Sequence, residues 1–438
     1  MDLLKAANDA VAAAKALGAS HVAASSYRDR EVGVDFRDGK VEKVSEATTF
    51  GLSLELFVEG RYAVVATSDL RHEALSAFLS DAVAMTRLLS PDPFRALPDP
   101  RLYVPQATLD LELEDPSYES LTGVRRRELA AEAEASARKT GGDRVISVTT
   151  GVSDSQIESC RVHSNGFEGR TRQTAFWISA EVSLQDPDGR RPEESDARGA
   201  RFRADLPTAV DVGRAAAERA LGRIGSGKAP SGTMPIVVDA RVAGRLVRLL
   251  MAPMSGAALQ QKQSFVDGKV GEQITSARLS LLDEPLIPRG LGSRRYDSEG
   301  IAARPMPVIE AGVLKNVYVD CYYARKLGVA PTTRSSSNLV LGLGDRDAAA
   351  MVADAGRGLF VTGFLGGNSN ATTGDFSLGV QGLLIEGGKV GRPVGEMNIS
   401  GNHLQLWPRL REVGNDPYRW SSLQTPTMLF DDVQVAGA

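Results

Sequence analysis

The sequence predicts an α+β protein in two parts: an N-terminal α+β domain and a glycine-rich, mostly antiparallel β domain of open-barrel type. Three observations carry this reading. Signals in the first part run helix, antiparallel strands, helix, and then repeat in the same order. Of the 44 glycines, 15 fall in residues 1–223 and the other 29 in 224–438. A stretch rich in breakers, Ile224-Gly-Ser-Gly-Lys-Ala-Pro-Ser-Gly-Thr-Met-Pro235, lies between better-patterned segments. A chain of 438 residues, at roughly 150 residues per domain, holds two or three domains. The boundaries expected are 1–223 for the first domain, with a possible internal duplication of 1–90 and 115–223, then 224–234 as linker and 235–438 as the second domain.

Each element has its own signal. Leu3 to Leu17 is amphipathic and stops at Gly18, a residue suited to a left-handed cap. Val32, Val34 and Phe36 alternate up to Asp38-Gly39, a hairpin turn. Leu52, Leu54, Leu56 and Val58 alternate up to Glu59-Gly60, and Tyr62, Val64 and Ala66 return. A helix over about 68–89 ends the first half. The second half offers a helix over about 119–139, strands over 144–152 and 156–162, the Ser164-Asn-Gly166 turn, a strand through Phe176-Trp-Ile178, the Asp186-Pro-Asp-Gly189 turn, and a helix over about 208–223. The second part opens with a strand over 235–238 and a helix from Ala240 to about Gln263. Short strands and glycine turns follow, at 307–309, 313–319, 382–385 and 428–435, with one helical stretch over about 345–355. Glycine inside strands also permits another backbone to approach, as in peptide binding by strand addition.

Composition narrows the function. With 42% apolar and 24% charged residues the chain is globular, and a net charge of −4 gives no electrostatic reason to expect nucleic acid or an anionic membrane as partner. Two cysteines cannot build a disulfide framework. No apolar run approaches the 18 or so residues of a membrane span, and the start lacks a basic n-region, so a cytoplasmic protein is expected. The four histidines, His21, His72, His163 and His403, lie far apart in sequence. Every close His–His ligand pair is thereby excluded.

The candidate motifs mostly fail on context. Gly222-x4-Gly227-Lys228 is followed by alanine and proline, where a phosphate-binding loop needs Ser or Thr and a helix. His72-Glu73 has no second histidine one turn on. Gly367-Asn-Ser369-Asn-Ala371 is one residue short of a nucleophile elbow, and the only downstream base is His403. Cys321 lies in Tyr318-Val-Asp-Cys-Tyr-Tyr323, an aromatic, strand-like context that reads as packing. Arg125-Arg-Arg127 and Arg294-Arg295 read as solvated faces. On the helix from Ala240, Arg241, Arg245 and Arg248 share one face, either solvated or a docking surface for acidic groups. From Val242 to Gln263 there is no His, Asp, Glu or Cys, so this helix can neither bind a catalytic metal nor supply a carboxylate base.

An ordered set of segments carries a resemblance. It runs through Tyr296-Asp-Ser-Glu-Gly300, Ile309-Glu-Ala-Gly-Val-Leu-Lys315, Tyr323-Ala-Arg-Lys-Leu-Gly328, Thr332-Thr-Arg334 with Asn338, Thr373-Gly-Asp-Phe-Ser377, Ile385-Glu-Gly-Gly-Lys-Val390, Ile399-Ser-Gly-Asn402, Val413-Gly-Asn-Asp416 and Val435-Ala-Gly437. Together these resemble the TldD/PmbA family of bacterial and archaeal proteins. The resemblance implies two branches. TldD-like members are metallopeptidases with a His-Glu-x-x-x-His pair on the first helix of the C-terminal domain and a further Cys ligand near the C-terminus. PmbA-like members, also called TldE, lack these ligands and pair with a TldD-type subunit. Here the corresponding helix reads Gly244-Arg-Leu-Val-Arg-Leu-Leu-Met-Ala-Pro253, the tail beyond His403 has neither His nor Cys, and Gly401-Asn402 is similar to the PmbA branch.

The expectation is a non-catalytic PmbA/TldE-like subunit of a two-component metallopeptidase, docking through its C-terminal domain and shaping the chamber for a peptide substrate. No catalytic residue, metal ligand or cofactor is assigned to this chain; the metal, expected to be zinc, belongs to a TldD-like partner. Candidate residues for a peptide or partner groove are Arg245, Arg248, Thr333, Arg334, Asn338, Thr373, Asp375, Ser377 and Asn402. Two alternatives stand beside it: a homodimeric peptide-binding protein without catalysis, and an independent hydrolase using Asp375, or Asp297 with Glu299.

Overall fold

The structure is a computed structural model that describes residues 2–103 and 109–437. Its first half contains α1 (Leu3–Ala16), β1 (His21–Arg37), β2 (Lys40–Val58), β3 (Arg61–Thr67) and α2 (His72–Thr86). The second half repeats the order with α3 (Gly123–Gly141), β4 (Val145–His163), β5 (Glu168–Leu184), β6 (Glu193–Ala200) and α4 (Ala209–Leu221). All six strands form one antiparallel sheet, β3-β2-β1-β4-β5-β6, so the two halves meet strand against equivalent strand at β1 and β4. The alternation read from sequence fixes which side is buried. Leu52, Leu54 and Leu56 pack under α1 and α2, whereas Val148, Val152 and Ile178 pack under α3 and α4. The register through Val34↔Val44 and Val34↔Val152 puts these residues on a single face. All four helices therefore lie on one side, and the other side faces the rest of the chain, where Tyr296 lies over Gly169.

Small residues let α3 and α4 cross closely: Ala130, Ala133 and Ala137 meet Ala209, Gly213, Ala216 and Ala220. A Cβ on Gly213 would stand 1.9 Å from the Ala133 carbonyl oxygen, so only glycine fits there.

Next come β7 (Gly232–Val238), α5 (Ala240–Met251), α6 (Gly256–Gln260), β8 (Leu281–Asp283), β9 (Met306–Glu310), β10 (Val313–Leu314), α7 (Cys321–Leu327), β11 (Leu339–Leu341) and α8 (Ala348–Ala355). The chain ends with β12 (Gly358–Ser369), β13 (Asp375–Glu386), β14 (Lys389–Asn402), α9 (His403–Leu406), β15 (Leu410–Val413), β16 (Leu423–Gln424) and β17 (Met428–Ala436). A small sheet runs β10-β9-β8-β11-β16. The larger one runs β14-β13-β12-β7-β17-β15 and closes on itself where Ile399 pairs with Val435. The antiparallel barrel expected of this part is present, its ring of five strands is closed, and one joint, β7 with β12, is parallel. Closure removes the free edges of the ring, so no strand can be added to it there. Ile236 and Val238 point into the main core with Trp407 and Phe430, and Val237 points outward to Met351 and Val352 of α8.

Several local expectations are corrected. The helix expected over 240–263 ends at Met251, because Pro253 has no amide proton to continue it, and α6 is a separate turn. The strand expected over 313–319 shrinks to Val313–Leu314. The strand-like Tyr318–Tyr323 segment instead opens α7, since Asp320 caps the helix by accepting from the Tyr323 amide at 2.8 Å. The strand β7 begins at Gly232, inside the expected linker, because it pairs with β17 as far as Val435.

Several side chains join the parts, among them Arg289, which pairs with Glu112 and Asp205, and two arginines that each bind three carbonyls. Arg201 is buried and donates to the carbonyls of Thr174, Gly290 and Leu291. Arg325 donates to those of Phe94, Ala96 and Leu97. No helix among the described residues is long and apolar enough to cross a membrane.

Candidate functional site

Asp239 starts α5 by accepting from the Arg241 amide at 2.8 Å, and Leu246, Val247 and Leu250 bury one side of the helix. The three arginines expected on one face divide. Arg241 turns inward, donating to the carbonyls of Ser195 and Thr362, and burial pushes its pKa down. Arg245 and Arg248 stay exposed.

Beyond the end of α5 a cleft of about 370 Å³ opens, lined by Arg248, Ser255, Arg334, Ser335, Ser336 and Ser422. It brings together two of the sequence-predicted residues, Arg248 and Arg334, from positions far apart in the chain. Neither guanidinium has an ion-pair partner among the described residues. Arg248 and Arg334 line the same cleft as these serines, a lining suited to a carboxylate or another anion, and the Arg334 charge also acts on Tyr62 and Glu299.

The loop carrying Arg334 is held from below. Arg294 donates to the Thr333 hydroxyl at 3.2 Å, to the Ser335 hydroxyl at 3.2 Å and to the Ser335 and Ser336 carbonyls. Asp297 accepts from the Glu299 and Ile301 amides, the Thr333 hydroxyl and the Arg334 amide. Arg294 is thus a loop organiser rather than the solvated charge its sequence suggested; its signal was the run of polar residues 332–338 it serves. Thr333 belongs to this scaffold and not to the cleft wall.

Asn338 is fully buried. Its side chain accepts from the Gly292 amide and donates to the Glu284 carbonyl and the Ser293 hydroxyl, so no peptide reaches it. Asn338 therefore does not line a groove, contrary to the expectation from sequence.

The remaining candidates form a separate group on the hairpin between β12 and β14. Asp375 accepts from the Thr373 hydroxyl at 2.7 Å and the Asn402 amide at 2.9 Å, and these bonds, that from Asn402 foremost, hold its carboxyl below the usual range. Asn370 accepts from the amides of Thr372 and Thr373 to make the turn. Ser377 donates to Asn398 at 3.2 Å. These polar groups satisfy one another as a turn does. Arg245 stands on α5 outside both groups.

Two partly buried sites carry chemistry that sequence alone had set aside. Ser369 and His403 do meet, with Oγ and Nε2 2.9 Å apart. Trp407 Nε1 donates to His403 Nδ1, so the proton sits on Nε2 and the imidazole donates to the serine. A nucleophile needs the reverse, a bare ring nitrogen facing its hydroxyl. At the second site Glu299 accepts from the Cys321 amide at 3.0 Å, and burial lifts its pKa to about 7. Burial likewise pushes the Cys321 thiol up, against thiolate chemistry.

Comparison with known proteins places this geometry. Three family models match in order: PmbA/TldA metallopeptidase domain 1 over residues 22–86, the central domain over 112–224 and the C-terminal domain over 231–437. The chain belongs to the TldD/PmbA family. Metalloprotease PmbA of Escherichia coli O157:H7 is 29% identical over 410 residues, covering 93% of this chain and 90% of that protein. A crystal structure from Bacteroides thetaiotaomicron, of a protein described as a proposed modulator of DNA gyrase, is 36% identical with a TM-score of 0.96, covering 99% of this chain and 98% of that one. TldE from Thermococcus kodakarensis shares the fold, with a TM-score of 0.87 at 21% identity over 99% of this chain and all 100% of that one.

For a TldD/PmbA member the question is whether α5 fits a metal. It does not, because Val242–Met251 offers alanine, glycine, arginine, leucine, valine and methionine but no imidazole, carboxylate or thiol. Among the described residues no three His, Cys, Asp or Glu side chains are grouped to hold an ion.

Proposed function

We propose that this chain is a non-catalytic PmbA/TldE-like subunit of a two-component metallopeptidase of the cytoplasm. A TldD-type partner supplies the metal, zinc by expectation, and this chain supplies part of the wall and the peptide-binding surface. The observation that carries the reading is that α5, the first helix of the C-terminal domain, where the resemblance puts the ligand pair, has no His, Asp, Glu or Cys from Val242 to Met251. The cleft of Arg248 and Arg334 supports a role in binding, since it offers positive charge to an acidic side chain or a peptide C-terminus. Stand-alone hydrolysis has less behind it: Asp297 is saturated by four donors, Glu299 is buried against Cys321, and Asp375 is tied to Thr373 and Asn402.

The test is metal content together with casein or peptide cleavage, for the chain alone and after mixing with a TldD-type protein from the same source. Metal and cleavage are expected only in the mixture. Replacing Arg248 or Arg334 singly by alanine is expected in each case to raise the KM of the mixture for acidic peptides roughly tenfold, the loss of one charge-assisted contact, while metal content stays the same. Cleavage by the chain alone would sink the reading and point back to its carboxylates.

A further inference from the structure

The two long edges of the N-terminal sheet are treated differently. Along β6 the outward carbonyls are capped one by one: Glu193 by Arg223, Ser195 by Arg219 and Arg241, and Ala197 by the Tyr418 hydroxyl. At the other end β3 covers only Leu52–Val58 of β2. All of Lys40–Phe50 is exposed, and among the described residues no hydrogen bond reaches the outer side of its backbone. An uncovered strand of this length is a template for another strand.

The residues along this edge say which strand fits. The usual deterrents, Lys40, Glu42, Lys43 and a bulge at Glu42, sit at the hairpin end. From Val44 to Phe50 there is one charge, Glu46, and Arg30 already holds it at 2.9 Å. Val44 and Phe50 are 62% and 36% exposed, and their partners Val34 and Arg28 on β1 put them on the same face. Antiparallel pairing with an identical strand requires a two-fold axis perpendicular to the sheet, passing through one residue position. Placed at Ala47, it sets Val44 opposite Phe50 of the second copy, twice, with Ser45 opposite Thr49 and Glu46 opposite Thr48. Aromatic with β-branched is a favourable cross-strand pair. Placed at Val44, the axis would set Glu42 against Glu46; placed at Glu46, it would set Glu42 against Phe50. With the axis at Ala47 the paired segment runs from Lys43 to Gly51, between the bulge at Glu42 and the point where β3 begins to cover β2 at Leu52.

We propose that the bare half of β2 is a self-association edge, through which a second copy of this chain pairs antiparallel over residues 43–51 about a two-fold axis at Ala47. The two six-stranded sheets then continue into one. This surface lies in the N-terminal sheet, so the inference stands apart from docking of a TldD-type subunit through the C-terminal domain.

The register gives the test. The purified full chain is expected to be a dimer by light scattering across a dilution series. Val44→Lys and Phe50→Glu are each expected to yield monomers, with thermal unfolding otherwise intact because both side chains are exposed. The double variant carries both changes in one chain, so each introduced lysine faces the introduced glutamate of the second copy, twice across the axis, and it is expected to dimerise again. In the wild type, amide exchange over Val44–Phe50 is expected to slow as concentration rises. A monomeric wild type, single variants that remain dimers, or a double variant that stays monomeric each overturn the proposal. So does a wild type that is monomeric alone and uses this edge only for a TldD-type chain.

Discussion

Burial and hydrogen bonding agree on one protonation state for His403. Its Nδ1 accepts from Trp407 and its ring is stacked on Phe265, so the imidazole stays neutral and its pKa falls to about 4. His163, between Tyr103 and Arg161, is pushed down to about 3. In the unfolded chain both bind a proton near 6.5. As pH falls from about 6.5 towards 4, the unfolded state gains protons that the native state refuses, so stability falls through that window. Glu299 works the other way. Its native form keeps a proton up to about pH 7, whereas the unfolded form releases it near 4.5, so it costs stability as pH rises between the two. Glu299→Gln removes the titration and keeps an acceptor for the Cys321 amide. It is expected to raise unfolding free energy by about 2–3 kcal/mol at pH 8 and to change it little at pH 4.5, read by urea denaturation at both pH values. At this scale the sequence was legible in what it lacked. The composition of α5 could be read directly, but the cleft could not, because Arg248 and Arg334 come to line one cleft only through the loop that Arg294 and Asp297 hold. Asn338 was misjudged for the same reason: a polar residue in a glycine-rich segment looks exposed until its three partners are known.

The elements with the strongest local signals are those the sequence placed best. Both helix–strands–helix halves follow from alternation and hairpin turns, although the strands expected over 144–152 and 156–162 are one continuous strand, β4, and β6 was not expected. The failures are where a local pattern met a specific stop or cap. Pro253 broke a helix that its apolar spacing would have continued, and Asp320 turned an aromatic run into the first turn of α7. The α3–α4 crossing offers a direct check of packing at this scale. Gly213→Ala places a methyl against the Ala133 carbonyl and forces the helices apart. It is expected to cost about 1–3 kcal/mol or more, measured as a lowered thermal midpoint, even though alanine is the better helix former. Gly39→Ala makes a useful contrast for volume, since a Cβ there meets nothing within 4 Å and only its positive φ of 79° is strained.

At the scale of the molecule, the closing pair β14–β17 and the arginine joints are long-range and leave no local trace in the sequence. The barrel type was legible from glycine-punctuated short strands; its closure was not. The joints predict how the molecule melts. Removing Arg201 leaves the Thr174, Gly290 and Leu291 carbonyls without their donor, and removing Arg325 does the same at Phe94, Ala96 and Leu97; each unsatisfied group costs about 1–3 kcal/mol. The doubly substituted protein, Arg201→Ala with Arg325→Ala, is expected to unfold in two calorimetric steps where the wild type shows one. A single unchanged transition in that variant would mean that the two parts are coupled by other contacts.

The capping of β6 also has a consequence for synthesis on the ribosome. The strand is complete at Ala200, but the last of its caps, Tyr418, is made 218 residues later (418 − 200). At about 5–20 residues per second that interval is roughly 10–45 s. Arg219 of α4 and Arg223 just beyond it emerge soon after the strand and cover Ser195 and Glu193 first, Arg241 follows, and Ala197 waits for the tyrosine. The nascent chain therefore guards its own edge in stages, with the charged caps in place while the polypeptide is still growing.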